Sequence, residues 1–359
     1  MTRLVAIGTE KGLFLATHDG GGWDVSPLHF TVKSVYAVAI DTRGGTPRIL
    51  VGASSAHWGP SVAISSDLGK TWEEPDDPAI VFPEDTGAAL ERVWQLAPGP
   101  ADRPEIVYAG TEPSALFRSE DGGRSFSLVR GLWEHPHRPT WEPGGGGQAI
   151  HTILPDPRDD GRMVVAMSTG GVYRTADGGE SWTPGNAGIK AVHVPDPFPE
   201  YGQCVHKVAR DNVDPDRFYA QVHHGVYRSD DGAASWTSIA EPLPGDFGFP
   251  IVAHPSKPGT IYNFPMIADM DRYPADHRCR VYRSTDAGKS WEPLSEGLPA
   301  EPFYPSVLRD AMCVDAGEPA GVYFGSKSGE VFASLDEGDS WTRVAAHLPA
   351  VLCVRAAAI

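Results

Sequence analysis

One turn recurs six times along the chain. It reads "SSDLGKTW" at 65–72, "SEDGGRSF" at 119–126, "TADGGESW" at 175–182, "SDDGAASW" at 229–236, "STDAGKSW" at 284–291 and "SLDEGDSW" at 334–341. The shared pattern is Ser/Thr-x-Asp-x-Gly-x-Ser/Thr-aromatic. Its aspartates, Asp67, Asp121, Asp177, Asp231, Asp286 and Asp336, are spaced 50–56 residues apart. A degenerate seventh copy, "THDGGGW" at 17–23, precedes them. A fixed period of this length marks propellers or repeat arrays. The motif's physics is local. The Asp carboxylate is expected to accept from backbone N–H groups two residues on, as in an Asx turn, and the Gly adopts a backbone that a side chain would strain. The flanking hydroxyls tie two strand ends together, and the aromatic residue opens the next strand and packs between units. These aspartates read as structural. Ala233 replaces the glycine in the fourth copy, so that turn is expected to be looser.

Short β-rich runs surround each turn. "RILVGASS" and "SVAISSD" precede the first box, "EIVYAGT" and "ALFRSED" the second, "RMVVAMST" and "GVYRTAD" the third. A further run ("VYAVAID", "VWQLAPG", "HTILPDP", "HKVARDN") stands ahead of each pair. Every unit is therefore four short strands with the box between the third and fourth, which is a propeller blade. The chain starts at a second strand, "LVAIGT", and ends on a first strand, "AVLCVRAAAI". The predicted fold is all-β: a single seven-bladed propeller spanning 1–359, its first blade shared by about 1–30 and 348–359. Closure in this way removes exposed sheet edges.

The 359-residue length suits one large all-β domain, and 40 Gly with 33 Pro suit many tight turns. A formal charge of −17 disfavours phosphate backbones and anionic lipid surfaces, so neither nucleic acid nor membrane is an expected partner. The opening "MTRLVAIGTEKGLF" reads as a strand rather than a signal core, and a cytoplasmic location is the expectation. Cys204, Cys279, Cys313 and Cys353 form no CxxC pair and read as buried free thiols.

The boxes resemble the Asp-box, or BNR, repeats of sialidases, two-propeller xyloglucanases, sortilin-type receptors and a photosystem II assembly factor. The resemblance covers essentially the whole chain and implies the fold. It implies function only weakly, because those families include hydrolases, receptors and assembly factors. The sialidase set of three arginines, a tyrosine nucleophile and a Phe-Arg-Ile-Pro stretch has no counterpart here. Xyloglucanase-like enzymes use two propellers where this chain supplies one.

A site is expected where the first strands begin and the loops between second and third strands project. The first-strand positions there are Tyr36, Trp94, His151, His206, Phe249, Asp310 and approximately Val351. The loops add His57, Trp58, Glu10, Glu112, His223, His224 and Lys327, and longer insertions bring His135, His137, Trp141, His193, Tyr201, Asp269, Asp271 and Arg272. "GQAIH" ending at His151 returns as "GQCVH" ending at His206. This places Gln148 and Gln203 three residues before equivalent histidines of adjacent blades.

Three readings follow. His151 and His206, with His223 or His224, His57 and Asp310 to complete the sphere, form a candidate site for one divalent transition metal, with His151, His206 and His223 as its ligands of choice. Alternatively, Tyr36, Trp58, Trp94, Trp141 and Tyr201 stack on sugar rings while a carboxylate pair from Asp310, Glu91, Glu112 or Asp269 hydrolyses a glycoside. The third reading is a non-catalytic face for a protein or glycan. The preferred expectation is a hydrolase or lyase acting on a small polar or carbohydrate-like ligand. Its catalytic residues would be His151, His206, His223 and Asp310, acting through a metal or as general acid and base. Substrate contacts would come from His57, Trp58, Tyr36, Trp94, Trp141, Arg272, Arg309, Gln148 and Gln203.

Overall fold

The computed structural model describes residues 1–144, 147–191, 194–267 and 270–359. Seven antiparallel sheets form the blades of a propeller. The C-terminal strand Val351–Ala358 pairs with Arg3–Thr9, which pairs with Gly12–His18 and then Trp23–Val25, so both termini build blade 1. The register runs from Arg3 opposite Ala358 to Thr9 opposite Val351. Innermost strands of successive blades touch in turn, and the ring closes where Met312–Val314 of blade 7 meets Val351–Ala358. Six sheets have four strands. Blade 2 has three (Ser34–Asp41, Arg48–Ser55 and Gly59–Ser65), and its fourth is reduced to one bridge between Ile64 and Glu73. No described helix is long and apolar enough to cross a membrane.

The boxes hold the turns as the repeat requires, by a different bond from the one expected. In the first, the Ser65 hydroxyl donates to Asp67 Oδ1 at 2.8 Å, while Thr71 gives its N–H to Oδ1 at 2.9 Å and its hydroxyl to Oδ2 at 2.6 Å. The backbone donor thus lies four residues on, not two. The same three bonds recur at Asp177 and Asp336. Nor is the Ala233 turn looser. Its N–H reaches Ser229 Oγ at 3.0 Å, as Gly179 reaches Thr175 Oγ1 at 3.0 Å. The buried methyl is held at a φ of 64°, so the copy tolerates local strain. In the degenerate copy Asp19 makes only a 3.5 Å contact with Gly21 N–H.

Apolar side chains fill the space between sheets, with Tyr173, Tyr219, Tyr262 and Tyr323 fully buried. Their hydroxyls are satisfied at the blade edges; Tyr323 donates to Asp315 at 2.6 Å and Tyr262 to the Glu337 carbonyl at 2.9 Å, as buried phenols require. Close nesting of blades depends on Gly110, where a Cβ would stand 2.3 Å from the Ile150 carbonyl oxygen of the next blade.

What positions the site is a β-bulge repeated in the innermost strands. Val35 and Ala37 face consecutive residues, Ala53 and Gly52, which leaves Tyr36 as the extra residue. Trp94, His151 and His206 are extra in the same way. Phe249 lies in the corresponding irregular stretch of blade 6, and Leu352 in that of blade 1. A bulge bends its strand and re-aims one side chain. The positions read from the sequence in blades 2 to 6 are these irregular residues; in blade 1 Leu352, not Val351, takes the role, and Asp310 of blade 7 lies ahead of its strand, bridged to Cys353.

Candidate functional site

The bulged side chains and the loops between second and third strands enclose a funnel-shaped cavity of about 400 Å³, within the range of small-ligand sites. One wall is aromatic. Tyr36 and Trp94 lie 5.2 Å apart, ring centre to ring centre, at 50°. The Arg92 guanidinium sits 4.4 Å above Tyr36, and Arg309 sits 5.2 Å from Trp94. Glu112 Oε2 accepts from Arg92 at 2.7 Å and from Trp94 Nε1 at 2.9 Å. Gly147, with φ 90°, backs onto Glu112, where a Cβ would come 2.2 Å from Oε1. The peptide there must be glycine for Glu112 to keep its place.

The facing wall carries Cys204, His206 and His223, with Phe247 and Phe249 packed on the histidines. His206 Nδ1 donates to the Gly248 carbonyl of the next blade at 2.5 Å, leaving Nε2 3.7 Å from Cys204 Sγ. Burial pushes the His206 imidazole well below its usual pKa, and the Arg309 charge pushes the same way. Burial raises the Cys204 thiol, with Arg309 opposing. Arg309 also donates to Ser168 Oγ at 2.8 Å, and Arg272 lies 5.6 Å over Phe249. Glu10 and Lys327 complete the rim.

Several predicted site residues are elsewhere. His151 is fully buried; its Nε2 donates to the Val205 carbonyl at 2.9 Å and its Nδ1 meets the Thr152 hydroxyl at 3.1 Å. One nitrogen joins blade 4 to blade 5 and the other is engaged by a hydroxyl of its own strand, which leaves neither turned to the funnel. The repeated pentapeptide is explained by this: each His gives one N–H to a carbonyl of the following blade. Neither glutamine holds its histidine or lines the funnel. Gln203 is buried and donates to the Pro199 carbonyl at 2.6 Å, and Gln148 Nε2 finds no partner among the described residues. Trp141 is 8% exposed and donates to the Tyr173 hydroxyl at 3.1 Å, so it is core rather than a sugar platform. His135 and His137 pack into the same cluster, with His137 stacked on Tyr201 at 3.8 Å. His57 and Trp58 stand exposed at the tip of the blade 2 turn, Trp58 at 85%, outside the cavity. Glu91 is exposed and also outside it. His193 and Asp269 lie outside the described residues.

Asp310 forms a plug across the central channel. Its Oδ1 accepts from Lys207 at 2.7 Å and Arg355 at 2.5 Å, and Lys207 also donates to Gln95 at 3.2 Å and the His151 carbonyl at 3.1 Å. Burial acts to raise the Asp310 pKa, but Lys207 and Arg355 outweigh it and hold the carboxyl below its usual range. Burial lowers the Lys207 ammonium, against the pull of Asp310. Asp310 is thus held ionised between two cations. A carboxylate so committed is not a proton donor to substrate.

Cys204 was not foreseen as a funnel residue; the signal in the sequence was its place two residues before His206. The other cysteines are buried free thiols, as read, with Cys313 and Cys353 pushed up to about 12 by burial.

No family model matches the chain. Among curated proteins it is 25% identical over 342 residues to an oligoxyloglucan-reducing end-specific xyloglucanase of Emericella nidulans, covering 82% of this chain and 40% of that one. It is 27% identical over 313 residues to a xyloglucanase of Hypocrea jecorina, covering 76% and 34%. The chain therefore spans less than half the length of these relatives. Among solved structures, the GH74 xyloglucanase of Xanthomonas campestris superposes with a TM-score of 0.57 at 16% identity, over 97% of this chain and 66% of that one. YCF48 bound to D1 peptide superposes at 0.55 and 17%, over 91% and 86%. At those identities the structural likeness establishes the propeller fold alone.

Proposed function

We propose that the protein is a carbohydrate-active propeller, a glycoside hydrolase of the xyloglucanase kind, with the sugar bound in the funnel. The observation that carries this reading is the Tyr36–Trp94 shelf with Glu112 fixed at its edge. Aromatic faces receive the apolar face of a sugar ring, while Arg309, Ser168 and Lys327 supply hydroxyl contacts from the other walls. The likeness to two xyloglucanases supports the substrate class. Glycoside hydrolysis needs two carboxyl groups flanking the scissile bond. With Asp310 tied into the channel plug, that pair is assigned to Glu112 and Glu10, on the loops of blades 3 and 1. Glu112, one oxygen held by two donors, serves as the carboxylate base or nucleophile, and Glu10 as the proton donor.

The test is turnover of xyloglucan oligosaccharides and a panel of aryl glycosides, beside binding by calorimetry. Glu112→Gln should lose at least ~100-fold in turnover while still binding. Trp94→Ala should weaken binding roughly tenfold, since a buried aromatic contact contributes about 1–2 kcal/mol. Absence of any glycan binding sinks the proposal. Binding without turnover would reduce it to a carbohydrate-binding module.

A further inference from the structure

We propose that Cys204, His206 and His223 form a transition-metal site in the funnel wall, for Zn²⁺ or a copper ion. This stands independently of the glycosidase reading. One ligand atom from each of the three residues lies within 4.8 Å of the other two. The Cys204 Sγ to His206 Nε2 distance is 3.7 Å. Two ligands on one tetrahedral zinc, at about 2.3 Å for sulfur and about 2.1 Å for nitrogen, stand about 3.6 Å apart. That edge is already at binding distance, and the two edges to His223, both within 4.8 Å, need to close by at most about 1.4 Å.

The tautomer is set. A carbonyl only accepts, so His206 Nδ1 carries the proton it gives to Gly248, and the lone pair is on Nε2, facing the sulfur. A hydrogen bond from the far nitrogen is how ligand histidines are oriented. The bulge makes this possible, because it turns His206 out of the ladder with its backbone still in the blade. The equivalent His151, with both nitrogens occupied and no cysteine two residues before it, has no such site. Thiolate with imidazole is a donor set for zinc or copper rather than for hard cations. Binding replaces the thiol proton: Cys204 S–H gives up H⁺ to solvent, the sulfur keeps the electron pair and donates it to the ion, and two neutral imidazoles complete the protein ligands. Three protein ligands leave a fourth position open toward the cavity.

The experiment uses the full chain purified without an affinity tag. Metal content is measured by mass spectrometry as isolated, and again after stripping and reloading with Zn²⁺, Cu²⁺ or Co²⁺. About one ion per chain is expected, with the reloading arms distinguishing zinc from copper. The Co²⁺ form should show a near-ultraviolet thiolate-to-cobalt band. Cys204→Ser should abolish that band and cut bound metal to roughly a tenth or less, while His57→Ala changes neither. Zn²⁺ should raise the melting temperature of the wild type and not of Cys204→Ser. If the folded wild type retains no ion after reloading, or if Cys204→Ser binds as well as wild type, the proposal is overturned. His223→Gln serves as a second variant should Cys204→Ser fold poorly, and metal retained by it at wild-type affinity overturns the assignment as well.

Discussion

Replacing Asp310 by Asn separates a structural reading of the channel plug from a catalytic one. The change leaves the size of the side chain almost unaltered and removes the charge that holds Lys207 and Arg355, whose side chains are only 13% and 20% exposed. Breaking a buried pair by removing one partner costs about 3–5 kcal/mol, mainly because the remaining charge is stranded. For a chain of 359 residues, unfolding as one cooperative unit at about 2.1 cal/mol/K per residue, that loss lowers the melting temperature by about 4–7 °C. Calorimetry reads it directly. A second variant, Lys207→Met in the Asp310→Asn background, removes one stranded cation, so the double variant should melt above Asp310→Asn alone. The wild-type interaction also has a pH signature. The folded carboxyl is held below its unfolded value of about 3.9, so its contribution is fully present above that pH and fades as pH falls through the lower folded value. An Asp310→Asn protein that melts within about 1 °C of wild type would refute a structural role for the plug. Loss of glycan turnover with unchanged stability would return Asp310 to the chemistry.

Two further outcomes are expected. His151→Ala, which removes a fully buried ring and both of its hydrogen bonds, should cost about 2–4 kcal/mol in urea denaturation and leave bound metal unchanged. Metal loss without destabilisation would instead make His151 a ligand. The box aspartates should give acid sensitivity. Despite partial burial that acts to raise them, Asp121 and Asp286 are held at about 2 by bonds from their serine partners. Stability from them is therefore present above about pH 4, the unfolded range, and is lost as pH falls toward the folded values. Melting temperatures that stay flat between pH 5 and pH 2 would contradict this.

The architecture was legible because each blade repeats the same local solution. A Ser or Thr hydroxyl, an aspartate and a second hydroxyl four residues after it are visible in sequence, and they are what the bonds at Asp67, Asp177 and Asp336 use. The circular closure was legible from the strand order at the two ends, which pairing of Arg3–Thr9 with Val351–Ala358 realises. The missing fourth strand of blade 2 was not, since "TWEEPDD" opens with a hydroxyl residue and an aromatic as the other copies do. The difference lies in how few ladder bonds form after Trp72, with only the Ile64–Glu73 bridge present.

The site was legible in position but not in role, and the reason is the bulge. Alignment of first strands placed Tyr36, Trp94, His151, His206 and Phe249 at the mouth, and all five lie in the irregular stretch of their strands. Yet equivalent positions do not give equivalent side-chain fates. His151 turns both nitrogens to protein groups, whereas His206 spends one on Gly248 and keeps the other beside Cys204. The discriminating residues are the bulge's neighbours: Thr152 follows His151 and occupies its second nitrogen, while Lys207 follows His206 and reaches instead into the channel toward Asp310. The same difference leaves an imidazole nitrogen for the funnel and supplies one of the two cations of the plug. Placing threonine at position 207 would leave Arg355 as the single cation on Asp310 and bring a hydroxyl beside the His206 ring, so one position bears on both the site and the plug.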